Sequence, residues 1–164
     1  MGIEVSSYDH TVEFLTKMGA KFIEKQETQT LILAHLIHNK YYHVNIVCEP
    51  KWIYTYVLIM NGLDIPEEKK KDIFRELLIL NKQEKDLTFS LDEEDNIYSE
   101  NDSPYNTDYE AFKSEYIMTV KGIELFIEKV AKKFGLEMFD TVAAKKNMNY
   151  IKKEDAKIEK KEVS

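Results

Sequence analysis

Cysteine, glycine, proline and arginine are all scarce in this 164-residue chain. The single cysteine, Cys48, excludes an intrachain disulfide and suits a reducing compartment. Five glycines leave little material for a phosphate-cradling loop, and no GxGxxG, Walker or GxSxG pattern is present. No apolar run approaches the roughly 18–20 residues that span a bilayer. The longest, 52–60, has the length of a strand. The N-terminus lacks the basic region and apolar stretch of a secretory signal. These absences predict a cytoplasmic protein with no cofactor and no membrane partner. A net charge of −7 also opposes general nucleic-acid binding, which needs a cationic face that releases counterions.

What is present is an ordinary globular composition, 43% hydrophobic and 32% charged, in a chain long enough for a real core. The stretch 29–60 organises it. Three apolar runs are broken by Asn39-Lys40 and by Glu49-Pro50-Lys51, and they read as three antiparallel strands. A two-residue turn at Asn39-Lys40 pairs His38 with Tyr41 and His35 with Val44. Alternation then puts Leu31, Leu33, His35 and Ile37 on one face with Tyr42, Val44, Ile46 and Cys48. The opposite face carries Ile32, Ala34, Leu36 and His38 with Tyr41, His43, Asn45 and Val47. In the third run Trp52, Tyr54, Tyr56, Leu58 and Met60 alternate with Ile53, Thr55, Val57 and Ile59, and neither set is polar. A sheet with one wet face alternates cleanly between apolar and polar residues. This one does not, so both faces are expected to be covered, the second by another molecule.

Around the sheet, residues 8–25 read as a helix capped by Ser6 or Ser7, with Val12, Leu15, Met18 and Phe22 on one face. A second helix opens at Asp64 with Pro66, Glu67 and Glu68. It buries Ile73, Phe74, Leu77, Leu78 and Leu80, and ends near Asn81. Leu87, Phe89 and Leu91 form a half-buried strand; after an acidic turn at 93–96 a short strand returns over 97–99, and 101–106 reads as a loop. Thr107-Asp108-Tyr109-Glu110 is a capping box for the longest helix, which runs to Phe134 with Gly135 as its C-cap. Residues 136–144 read as a short fourth helix. From Lys145 onward seven lysines face four acids, so the tail is +3 and the remainder −10. The sequence therefore predicts one α+β domain over 1–144, an antiparallel sheet with helices on one face in the order α-β-β-β-α-β-β-α, and a charged, mobile basic tail over 145–164.

That order resembles the type III secretion chaperone-like superfamily, which includes the YbjN-type and Tir-chaperone-type domains. The local match is Leu77-Leu78-Ile79-Leu80-Asn81, then Leu87-Thr88-Phe89-Ser90-Leu91-Asp92, then Asn96-Ile97-Tyr98. It is similar to that superfamily's helix ending in Leu-Asn, aromatic strand and acidic turn, and the likeness spans about 8–134. The resemblance implies an acidic, cytosolic homodimer without enzymatic activity that holds a peptide or protein partner on apolar surfaces. The long basic C-terminal segment departs from the secretion chaperones.

The candidate partner-binding or dimer-interface residues are Leu36, His38, Tyr41, His43, Val47, Trp52, Tyr54 and Tyr56, because interface cores favour aromatic residues. The same tyrosines could stack bases, but the acidic body opposes it. An alternative function is a metal or ligand site built on His38 and His43, which the expected register places diagonally across two strands. Zinc needs at least a third protein ligand, and none has the spacing. Cys48 reads as a small buried hydrophobe. The run from Asp92 to Asp102 fails as a calcium loop, since Ile97 stands where an EF-hand requires glycine.

Overall fold

The computed structural model describes residues 6–139. Six strands form one antiparallel sheet in the order β1-β2-β3-β4-β6-β5. They are β1 (Ile23–Lys25), β2 (Thr30–Ile37), β3 (Lys40–Cys48), β4 (Trp52–Met60), β5 (Phe89–Leu91) and β6 (Ile97–Pro104). Three helices, α1 (Ser7–Lys17), α2 (Glu67–Gln83) and α3 (Tyr109–Phe126), pack on one side and share a single core with the inner sheet face. The α+β architecture and element order agree with the sequence reading, with one extra strand.

That strand comes from a helix that ends early. Gly19 reads as a helix interior residue, but it adopts φ +70 and closes α1. Its amide donates to Thr16 O and the amide of Ala20 to Leu15 O, both at 3.0 Å, the two bonds of a Schellman motif. The chain then turns back, and Ile23–Lys25 pairs with β2 rather than continuing a helix. At the front of α1, Ser6 is the cap, accepting from the amide of Asp9 at 3.1 Å.

The β2–β3 turn also differs. His38 and Asn39, not Asn39 and Lys40, are its central residues, with φ of 48 and 62. Two consecutive positive φ values belong to a type I′ turn, whose twist matches the flanking strands. The pairs are His35 with Tyr42 and Ala34 with His43, two residues from the expected register. Because the offset is even, each side chain stays on its expected face.

β6 is twice the expected length or more. Residues 101–104, read as loop, continue the ladder against β4, so that Trp52 lies opposite Pro104 and Tyr54 opposite Asp102. Beyond Ser99 β6 pairs with β5 no further, and Pro104 sits where no ladder amide is required. The side-chain amide of Asn101 donates to Glu115 O (3.2 Å) and Thr119 Oγ1 (3.1 Å), and Ser99 Oγ donates to Thr119 O at 2.9 Å. These bonds tie the inner face of β6 to α3. The approach is close: a Cβ on Gly122 would lie 2.1 Å from Ser99 Oγ.

Other differences are local. The cap of α3 is Asp108, one residue past the expected Thr107, accepting from the amide of Ala111 at 2.8 Å. The helix continues through a π-helical segment (Ile127–Ala131) and a last turn (Lys132–Phe134) to Gly135 at φ +62. α2 runs past Asn81 to Gln83, and Leu78 is exposed rather than in its buried stripe. Residues 136–139 are not helical, correcting that part of the expected fourth helix. Residues 140–144 and the basic tail at 145–164 lie outside the described residues. Among the described residues no helix is long and apolar enough to cross a membrane.

Candidate functional site: the outer sheet face

The sheet has two faces of different character. Facing the helices are Leu31, Leu33, Tyr42, Val44, Ile46, Ile53, Val57, Ile59 and Ile97, all buried in the core. The opposite, outer face carries most of the residues singled out from the sequence. Leu36 is 58% exposed, Trp52 43% and Tyr54 40%, while Tyr41, Val47 and Tyr56 are half-buried. These residues come from β2, β3 and β4. The register runs Val47 beside Tyr54 beside Asp102 in one row, and Ile32, Asn45, Tyr56 and Glu100 in the next. The Tyr56 ring meets the Tyr98 ring edge-on at 6.2 Å. Burial raises the Tyr56 hydroxyl pKa. Burial, then the bond to Asp92 at 2.9 Å, pushes Tyr98 up to about 12, so both tyrosines stay neutral.

Two outer-face residues are buried, Ile32 at 2% and His43 at 5% exposure. Neither His43 ring nitrogen has a hydrogen-bond partner among the described residues, and burial lowers its pKa. His35 sits on the inner face. Burial lowers its pKa too, but its Nε2 is hydrogen-bonded to the Tyr116 hydroxyl of α3.

The expected His38–His43 pair does not form. The corrected turn carries His38 into the loop, exposed, four residues along the strand from Ala34, the partner of His43. At a strand rise of about 3.3 Å per residue this separates them by roughly 13 Å. Among the described residues no group of three or more His, Cys, Asp or Glu could hold a metal ion. Cys48 is buried on the inner face. Burial raises its pKa, partly opposed by its 3.5 Å hydrogen bond to Thr11, which leaves a poor nucleophile. The acidic turn is organised on Asp92, whose carboxylate accepts from the amides of Glu94 and Asn96, the side chain of Asn96 and Tyr98. With those bonds made, it is a turn anchor rather than a calcium ligand.

The sequence reading missed the acidic border of the outer face. Val47, Tyr54 and Tyr56 floor a cleft of about 400 Å³ that Glu49, Glu100 and Asp102 also line. Among the described residues no cation pairs with these three carboxylates. The signal was present in the sequence: Tyr98, Glu100 and Asp102 alternate with Ile97, Ser99 and Asn101, the period of a strand.

No family model matches the sequence, and no curated protein matches it. Solved structures do. The crystal structure of YbjN from E. coli superposes with a TM-score of 0.61 at 16% identity, covering 82% of this chain and 96% of that one. A chain of the ExsC–ExsE complex gives 0.56 at 15% identity, covering 78% and 97%. A chain of the heterodimeric ExoU–SpcU complex, from the type III secretion system of Pseudomonas aeruginosa, gives 0.53 at 10% identity, covering 71% and 93%. The protein therefore has the YbjN and type III secretion chaperone-like fold, as the element order implies. At these identities the likeness is one of fold.

Proposed function

We propose that this protein is a non-enzymatic, cytoplasmic protein-binding module, a homodimer that holds a peptide or protein partner on its outer sheet face. The observation that carries this reading is the face itself. A solvated sheet face ordinarily presents polar residues, yet here Leu36, Trp52 and Tyr54 stand exposed in a row of strands whose other side is full. Trp52 and Tyr54 stand at one end of that face beside Val47, and Leu36 six residues along β2 from their row, near the β2–β3 turn; large apolar side chains left exposed on one face mark an interaction surface. Tyr and Trp serve it well, because they bury much area at little entropic cost and keep a polar tip wet. Two of the fold neighbours are complexes of two proteins, which supports partner binding as a use of this fold.

The test is the solution mass of the untagged full chain by light scattering across a dilution series. The expected result is a species of twice the chain mass that dissociates on dilution, and dissociates sooner when Leu36→Asp or Trp52→Asp is introduced. A species of single chain mass at every concentration overturns the dimer.

A further inference from the structure

The cleft at the β4–β6 end of the outer face combines two features suited to an ammonium group. Its floor is aromatic, and a lysine ammonium over a tyrosine ring is attracted to the negative face of the ring, more strongly where water is excluded. Its wall is anionic, with Glu49, Glu100 and Asp102 unpaired among the described residues. The ladder sets these groups side by side, Tyr56 against Glu100 and Tyr54 against Asp102. Cross-strand neighbours on one face lie about 4.5–5.5 Å apart at Cβ, so one ammonium reaches a ring and a carboxylate together. Asn101, between the two acids, is bonded to α3 and leaves the outward positions to them. The like charges crowd one another further along: Glu115 has its pKa raised by burial and then by Asp86 and Asp102.

A segment of complementary charge belongs to the same chain. Residues 145–164 hold seven lysines against four acids, at positions 145, 146, 152, 153, 157, 160 and 161. The body they are joined to is −10. Reach is not limiting, since the 25 residues after Phe139 can span up to about 80 Å when extended. A tethered ligand also presents itself at an effective concentration of order millimolar. We propose that the lysine-rich segment 145–164 docks on the outer face, with a lysine ammonium in the cleft formed by Tyr54, Tyr56, Glu49, Glu100 and Asp102, and so regulates partner access to that face. This rests on the outer face being the binding surface. The segment competes with a second copy for Trp52 and Tyr54, and rising salt releases it.

Carbodiimide coupling of the full chain tests the contact directly, because it joins a lysine amine to a carboxylate it already touches. An equal mixture of isotopically light and heavy chains shows whether each link lies within or between chains. The expected result at low salt is links within one chain from Lys145–Lys161 to Glu49, Glu100 or Asp102. They should fall at least about tenfold in 0.5 M salt, where the screening length is only a few ångströms. Converting the seven lysines to glutamine should lower the Kd for self-association. Links only between chains, links only to other acids, or no links would overturn the proposal. The light-scattering mass is read separately. A dimer without these links leaves the binding-module reading standing and removes only the tail, whereas a monomer with them removes the dimer and keeps the tail.

Discussion

The two faces of this one sheet follow the same strands and obey different rules. On the inner face most positions between β2 and β6 are buried in the core, and several of its polar groups are bonded: His35 to Tyr116, Ser99 to Thr119, Asn101 to Glu115 and Thr119. On the outer face apolar bulk is comparable but unfinished. Trp52, Tyr54 and Leu36 stand in water, His43 is buried without a partner among the described residues, and three carboxylates border an open cleft. Inner-face residues are satisfied within the described residues, whereas the outer face leaves apolar area and three carboxylates without partners among them.

The largest effect should come from setting one face against the other. Phe112 is fully buried between α1 and the core, its ring 5.3 Å from Phe14 and 6.4 Å from Tyr116. Phe112→Ala should lower unfolding free energy by about 3–5 kcal/mol, the usual loss for a large core aromatic. Trp52→Ala removes a larger side chain but should change stability by less than about 1 kcal/mol, because its surface is still substantially wet. Urea titrations of both variants check this, run dilute enough that association does not contribute. Equal losses would mean that Trp52 belongs to the core and the two-face distinction is wrong.

How far each face was legible in the sequence follows from the same physics. Side-chain parity has a period of two, so the faces of β2 and β3 survived an error of two residues in register, whereas a register shift between Leu58 and Met60 turns Met60 from its expected outer place into the core. The register itself depended on which two residues turn, and His38-Asn39 takes two positive φ values where Asn39-Lys40 looked the more natural turn. Helix propensity carried α1 past its true end because Gly19 has two meanings, a weak interior residue or a left-handed stop, and only the return pairing of Ile23–Lys25 with β2 decides between them. The aromatic half of the candidate site was legible as alternation in β4. Its acidic half was hidden because Asn, Asp, Ser and Pro at 101–104 are turn formers, and tertiary pairing with β4 overrode that preference. His38 shows the opposite case: its residue type suggested a ligand, and the turn removed it.

A sharper probe of the inner face is Gly122. It is there because α3 lies against β6 with no room for a methyl, so Gly122→Ala drives a Cβ into Ser99 Oγ. The helical propensity gained, about 1 kcal/mol, is smaller than the overpacking strain, typically about 1–3 kcal/mol. A net loss of stability in thermal or urea unfolding is expected. Ser99→Gly introduced with it should recover part of that loss, since it removes the atom that clashes. No recovery would place the strain elsewhere on α3.

The smallest effect is also the most diagnostic of the outer face. Burial lowers the pKa of His43 in the folded chain, whereas in the unfolded chain it titrates near 6.5. Below that pH the unfolded state binds a proton that the folded state refuses. The stability due to neutral burial is whole above pH 6.5 and declines as pH falls through it, by at most about 1.4 kcal/mol per pH unit per histidine, until the folded value is reached. His35 adds to the decline with the same sign, so both histidines must be separated. His43→Phe keeps a ring of similar size and deletes two nitrogens that have no hydrogen-bond partner among the described residues. Removing an unsatisfied buried polar group is neutral or stabilising at pH 7.5, and it should flatten the fall between pH 7.5 and 5.5. An unchanged slope would show that His43 does not carry the pH dependence and leave it to other groups, His35 on the inner face among them. A flattened one shows that the outer face, though incomplete, already holds a residue under the constraint of a core.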